Sequence, residues 1–436
     1  MEKFKATPFK IYVGNNGELI HFNVMTLALS ELEQQHVDLL DEFAEFRRID
    51  EVLTTYADKQ DLVLYLEDLI ELKMINDIET PITKDRTLLS DGLPTAYRIV
   101  LTEYCNLACA ECFVTKNRTN LATMPEDTLI EVIDNSIRNA TGRILTYHFF
   151  GGEPLIRFDL IQKAVARLNE AVEIGIIKQP VYTITTNATR VTDEMIKFFT
   201  KNNFIVGVSV DGNRKTHNAL RPYINGRGSY DDVTYNYRRM VEAGVNAHVL
   251  ITPNPRYLEN LVGIARDIMD TFPMQTITIN TPFKYDTLEW SVPGKQYAEI
   301  LFDIMRVAKA KDITVDSAAS PAIAAIANSI RRTSACSITG EAFMASVSPS
   351  GSLSYCAQKW HECLLLPKRP AVDVQTKCKQ CEAFGICGGV CPAFSTLSGI
   401  SYDRNKCDFM HMFLSLIAKN LDLFVEQEVD YNDNGP

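Results

Sequence analysis

Three cysteines stand in the stretch LTEYCNLACAECFV, residues 101–114: Cys105, Cys109 and Cys112, separated by three residues and then by two. Three thiols cannot all pair as disulfides, and they fall one short of the closed tetrahedron of a structural zinc. Three thiolates do suit an iron–sulfur cubane in which one iron keeps no protein ligand and stays open to a small molecule. Eight further cysteines lie between residues 336 and 407, and none between 113 and 335. Thiols serving only as core packing would be scattered, so this clustering favours metal. A disulfide framework of eleven cysteines does not suit a reducing cytosol.

Such a cluster needs a scaffold, and the remaining sequence is organised to supply one. The 436 residues predict two or three domains. With 46% hydrophobic and 23% charged residues the composition is that of a globular chain, and a net charge of −11 without a basic stripe argues against nucleic acid. The N-terminal stretch lacks the apolar core of a signal peptide, and no run of 18 apolar residues is present. A cytoplasmic protein with no membrane span is expected.

From residue 96 the pattern alternates between short apolar runs and amphipathic segments. AYRIVLT, ILTYHFF, VYTITT, IVGVSV, AHVLIT and TITIN read as six strands, each followed by a helical pattern; the last is GKQYAEILFDIMRVAKA. Six βα units predict an α/β fold with a parallel sheet, an incomplete (β/α)6 TIM-type barrel with active residues at the C-terminal strand ends. Polar or glycine-rich signals follow the first four strands: the cysteine triad, GGEP (Gly151–Pro154), TTN (Thr185–Asn187) and VDG (Val210–Gly212). They converge on one rim.

On these motifs the chain resembles the radical S-adenosylmethionine (SAM) enzymes, whose signature is CxxxCxxC after the first strand of a partial barrel. The resemblance implies that Cys105, Cys109 and Cys112 hold a [4Fe–4S] cluster whose open iron binds SAM, and that the cofactor supplies the radical chemistry. It implies cofactor contacts for Gly151, Gly152 and Glu153 with the SAM amino group. Ser209 and Arg221 would hold the carboxylate, Asn187 the ribose or methionine region, and the Ile251 backbone the adenine. The chain departs from the family at Glu111, where an aromatic residue is usual, with Phe113 as a substitute from the other side. Asp211, Glu153 and Tyr104 are candidates for a general base.

The C-terminal cysteines resemble the SPASM domain: Cys336, fourteen residues, Gly351, four more, Cys356, then Cys378-x2-Cys381-x5-Cys387-x3-Cys391 and Cys407. The resemblance implies two auxiliary [4Fe–4S] clusters, three in all. Cys378, Cys381, Cys387 and Cys407 would hold the outer one, and Cys336, Cys356 and Cys391 the inner. Cys363 either closes the inner cluster or is a buried thiol beside an open iron. A zinc ribbon is the alternative for Cys378, Cys381, Cys387 and Cys391 alone, and it leaves the other three idle.

Residues 1–92 read as a hairpin around Asn16-Gly17 followed by three helical patterns. The order resembles winged-helix leader-recognition domains, similar to the small chaperone of pyrroloquinoline quinone biosynthesis; a helical cap on the barrel is the plain alternative. The expected organisation is therefore 1–92 recognition unit, 93–312 barrel, 313–335 bridging region, 336–420 SPASM domain and 421–436 acidic tail. The implied activity is that of a peptide maturase. It takes a precursor peptide by its leader and makes a thioether or carbon–carbon cross-link, with an electron donor such as flavodoxin or ferredoxin. An anaerobic sulfatase-maturating enzyme, forming formylglycine, and a non-catalytic cluster-binding scaffold are the competing readings.

Overall fold

The computed structural model describes residues 3–56, 60–77, 93–110, 112, 114, 121–140, 142–284, 288–332, 344–354, 356, 358–360, 378, 380–391, 393–395, 399 and 402–424. Its centre is a nine-stranded sheet. Six strands are those expected: β6 Ala96–Thr102, β7 Thr146–Gly151, β8 Val181–Thr186, β9 Ile205–Ser209, β10 Asn246–Ile251 and β11 Thr276–Ile279. They lie side by side in chain order and all run parallel. Amphipathic helices follow them, among them Glu126–Arg138, Phe158–Glu173, Asp193–Lys201, Tyr230–Glu242, Leu261–Thr271 and Gly294–Lys309. Ile99, Phe149, Ile184, Val206 and Val249 are buried in the layer between sheet and helices. An apolar face toward the helices is what a parallel sheet covered by helices demands.

Three further strands extend the sheet. β12 Thr314–Ser317 lies in the segment read as a bridge and pairs in parallel with β11. β13 Met344–Val347 pairs in parallel with β6, and β14 Leu353–Ser354 returns antiparallel beside it. The runs TVDS and MASV are too short and mixed to signal strands. The edges left by β6 and β11 draw them in, because a buried edge must satisfy its backbone groups. The first part of the C-terminal module is thus continuous with the barrel sheet.

The N-terminal unit holds the predicted hairpin, β2 Phe9–Val13 and β3 Leu19–Asn23, turning at Gly17 with φ of +91°. β4 Leu29–Leu32 adds a third antiparallel strand, and β1 Lys5–Ala6 pairs with β5 Ile75–Asn76, two features the sequence reading does not contain. The helices Gln34–Glu42, Ile49–Leu53 and Gln60–Glu71 bring Leu39, Leu40, Phe43, Leu66 and Leu69 into a core of their own. The opposite side of the sheet is not solvated. Tyr12, Ile20, Phe22 and Leu27 join the buried cluster that holds Ile386, Phe409 and Phe413 of the C-terminal module. The segment read as a linker, 78–95, lies outside the described residues up to 92, as does the acidic tail beyond 424.

His21 sits between Ile11 and Ser30 in this small sheet, fully buried and stacked on Phe9 at 5.2 Å. Among the described residues neither ring nitrogen has a hydrogen-bond partner, and burial lowers its pKa to about 4. An unfolded chain protonates this histidine near pH 6.5, so the unfolded state binds the extra proton between about pH 6.5 and 4. Stability is therefore complete above about pH 6.5 and falls by up to about 3 kcal/mol as the pH drops toward 4. His21→Leu removes the titration and the unsatisfied nitrogens. Its expected melting temperature exceeds the parent's, by more at pH 5 than at pH 7.5; equal gains at both would disprove the assignment.

Candidate functional site

The loop carrying the triad leaves β6 and is clamped along its length. Ala108 N and Ala110 N donate to the carbonyls of Pro222 (2.8 Å) and Leu220 (3.0 Å), and Ile224 N donates to the Asn106 carbonyl at 3.3 Å. Cys112 N closes a turn onto the Cys109 carbonyl at 3.4 Å. Burial pushes the Cys105 thiol up to about 12, with the charges of Glu153, Cys109 and Cys112 adding to it. Burial also raises Cys109, against the opposing pull of Arg221. The three half-buried sulfurs of one short loop are a soft donor set that fits an iron–sulfur cluster. Glu111 and Phe113 lie outside the described residues.

Glu153 is the hub of the rim. Its carboxylate is completely buried and accepts from Leu155 N (3.0 Å), Thr186 Oγ1 (2.7 Å) and Asn187 N (2.7 Å). Burial pushes it up to about 6, against the pull of those hydrogen bonds. Three of roughly four acceptor positions are therefore taken by the chain itself. Gly152 N donates to the Thr102 carbonyl and Glu153 N to that of Tyr104, at 2.8 and 2.9 Å. This is β-like pairing so close that a Cβ on Gly152 would stand 2.3 Å from the Tyr104 oxygen. Gly151, at φ +149°, has equally little room, with the Thr102 oxygen 2.1 Å from its would-be Cβ.

Asn187 joins this hub to the triad. Its Nδ2 reaches Asn106 Oδ1 at 3.0 Å and Cys105 Sγ at 3.7 Å, while its Oδ1 accepts from Thr189 N and Oγ1. The following Ala188 is held at φ +54°, a left-handed conformation that costs an alanine about 1–2 kcal/mol.

On the other side of the triad Arg221 Nε donates to Asp211 Oδ2 at 2.6 Å, and Asp211 Oδ1 accepts from Thr252 N at 3.0 Å. Burial disfavours the Arg221 charge, but Asp211 and Cys109 outweigh it and its pKa is raised. Beneath them His217 accepts from Asp211 N (3.3 Å) and its other nitrogen meets Ser229 Oγ at 3.0 Å. Asp211 is thus occupied as a holder of Arg221. Of the three base candidates only Tyr104, 51% exposed, has an open side chain. Ser209 ends β9 half-buried; Ile251 ends β10 fully buried, its carbonyl accepting from Asn280 N at 2.8 Å.

The C-terminal thiols form two groups. Cys378, Cys381, Cys387 and Cys407 line one cavity together with Phe384 and Met410. Burial and the charges of its three neighbours push Cys407 up to about 12. Cys356 and Cys391 meet beside Leu288 and Phe394, and burial, followed by the Cys391 charge, pushes Cys356 up to about 11. Cys336 and Cys363 lie outside the described residues.

Sequence reasoning missed a second set of residues. Trp360 Nε1 donates to Glu103 Oε1 at 3.3 Å, and its ring packs with Val100, Val114 and Phe150 around Cys112. Inside the barrel Arg98 Nε donates to His148 Nδ1 at 3.1 Å, and His148 Nε2 lies 2.9 Å from Thr185 Oγ1. Arg98 can only donate, so the His148 hydrogen is on Nε2 and points at Thr185. Burial lowers Arg98 to about 10 and drives His148 well below its usual value. His248 Nε2 lies 3.3 Å from where a Cβ on Gly207 would be. The available signal was the alternation of Arg98, His148, Thr183, Thr185 and His248 in strands otherwise apolar; all five are half-buried.

The model of the Radical SAM superfamily matches residues 99–267. A cysteine-type anaerobic sulfatase-maturating enzyme of Clostridium novyi is 30% identical over 155 residues, 34% of this chain and 41% of the relative. The radical SAM cyclopropyl synthase TigE of Paramaledivibacter caminithermalis is 26% identical over 136 residues, 28% of either chain. The chain thus spans about two-fifths or less of these curated relatives. Among solved structures, anSMEcpe with bound AdoMet superposes with a TM-score of 0.62 at 17% identity, covering 76% of this chain and 94% of that one. Streptococcus suis SuiB bound to its precursor peptide SuiA gives 0.51 at 14%, covering 89% and 96%. At such identities the agreement is one of fold. Together with the triad at the end of β6, the superfamily match identifies residues 99–267 of this chain as a radical SAM domain.

Proposed function

We propose that the protein is a peptide maturase that takes a precursor peptide by its leader and cross-links a core residue through a thioether or carbon–carbon bond. When bound, a [4Fe–4S] cluster and SAM would supply the radical chemistry that activates a substrate C–H bond. The chain's part is to hold and orient. Cys105, Cys109 and Cys112 are the cluster ligands. The Gly151–Glu153 loop takes the SAM amino group, with one Glu153 acceptor position left for it. Arg221, fixed through Nε by Asp211, keeps further guanidinium N–H groups for a carboxylate beside Ser209. Asn187 lies toward the ribose or methionine, and Ile251 toward the adenine. Cys378, Cys381, Cys387 and Cys407, which line one cavity, and Cys336, Cys356 and Cys391 would hold two auxiliary clusters able to take up the surplus electron, and an electron donor such as flavodoxin or ferredoxin would serve the protein.

The observation that carries the peptide reading is the N-terminal sheet. Among the described residues β4 pairs only with β3, so its outer edge is open to an added strand, a mode that reads a peptide through its backbone. The SuiB fold also has counterparts for a larger share of this chain than the anSMEcpe fold, 89% against 76%. The test is anaerobic incubation of the reconstituted full-length protein with SAM, a reductant and a leader-bearing precursor peptide. A product two hydrogens lighter is expected. An aldehyde trapped by a hydrazide would instead establish formylglycine formation, and intact SAM would leave only a scaffold.

A further inference from the structure

Tyr402, Asp403, Lys406 and His411 also line the outer cysteine cavity, and the proposed function leaves them unused; of these His411 faces a ligand sulfur. His411, on the C-terminal helix Arg404–Ala418, places Nε2 at 3.4 Å from Cys381 Sγ. Its Nδ1 lies 3.2 Å from Glu382 Oε1, and the same oxygen receives Lys10 Nζ at 2.7 Å. Cys381, Glu382 and His411 are close enough to act as a ligand set for one metal ion. A cubane excludes that use, because each of its irons takes one protein ligand beside three sulfides, and four cysteines already line the cavity. His411 remains as a neighbour of the ligand.

We infer that His411 donates a hydrogen bond to Cys381 and thereby raises the reduction potential of the outer cluster, and that Lys10 of the N-terminal sheet fixes this donor through Glu382. The inference rests on the auxiliary-cluster reading above. An iron-bound thiolate only accepts, so the ring nitrogen that faces it is the donor. A donor on a ligand sulfur favours the reduced, more negative cluster; such hydrogen bonds are among the determinants of cluster potential. Lys10 lies on β2, whose neighbour Tyr12 is buried toward the same module, its pKa raised by burial, Glu382 and Cys381 in that order. The recognition unit and the outer cluster site are therefore joined by three consecutive polar contacts, Lys10 to Glu382 to His411 to Cys381. A charge removed at one end is felt at the other.

The test is a redox titration, followed by electron paramagnetic resonance, of the anaerobically reconstituted full-length protein and of three variants. His411→Leu is expected to lower the outer-cluster potential enough to change its reduced-to-oxidised ratio tenfold at fixed potential, about 59 mV for one electron. Lys10→Met, at an exposed residue three polar contacts from Cys381, shifts it the same way by less. His411→Gln, which keeps an N–H donor, restores part of the loss. The cluster on Cys105 stays put in all three. An unchanged outer potential in His411→Leu, or loss of the cluster from that variant, overturns the inference while three clusters in the parent leave the function reading intact. A parent with about four irons per chain instead of about twelve removes the auxiliary reading itself, and the inference with it.

Discussion

Gly152→Ala is expected to reduce 5′-deoxyadenosine formation about 100-fold while the protein remains folded. The added Cβ would stand 2.3 Å from the Tyr104 oxygen, 2.6 Å from the Glu103 oxygen and 2.6 Å from the Tyr104 carbonyl carbon. All three are backbone atoms of the residues leading into Cys105, so no side-chain rotation relieves the contact. Relief to an ordinary distance moves the triad loop about 1 Å from the β7 rim, and a displacement of that size is enough for a loss of two orders of magnitude. The strain itself is about 1–3 kcal/mol, tolerable for a domain of this size. The measurement is product formed with SAM and dithionite, beside the iron content of each preparation. Gly263→Ala is the control, a helical glycine with nothing within 4 Å of the added carbon. Full activity in Gly152→Ala would show that the rim does not need this close approach.

Asp211→Ala is expected to lose about 3–5 kcal/mol of stability, more than other single substitutions at the rim. Arg221 and Asp211 have side chains only 16% and 10% exposed, so removing the carboxylate strands a buried guanidinium and leaves Thr252 N without its acceptor. Asp211→Asn keeps an oxygen for Thr252 but not the charge, and should fall between alanine and the parent. Urea unfolding of the cluster-free proteins measures both. The same change frees Arg221 from its fixed position beside Cys109, so cluster reconstitution should be less complete in the alanine variant. A loss below about 1 kcal/mol would place the pair among the weak, solvent-screened ion pairs.

Much of the barrel was legible before any coordinates. AYRIVLT and VYTITT coincide with β6 and β8, because each is rich in β-branched and aromatic residues between polar turns, although Arg98, Thr183 and Thr185 interrupt the apolar pattern. The rim motifs were legible for a related reason: chemistry-bearing residues directly after such runs have nowhere to go but the C-terminal edge. The strands β12 and β13 were not legible, since their pairing is supplied by edges distant in sequence. Nor was the role of Asp211, which reads as a free acid and is in fact the holder of Arg221.

The sequence by itself determined the thiol inventory, its division into a triad and a C-terminal set, and the order of βα units, because each depends on residue type and local spacing. Only the tertiary structure decided what those groups face. It closed Glu153 onto Thr186 and Asn187, set Trp360 against Cys112, and docked one side of the N-terminal sheet on the C-terminal module. Those contacts join residues tens to hundreds of positions apart. They form because buried polar groups must find partners and apolar faces must be covered, and only the folded chain brings the partners within reach.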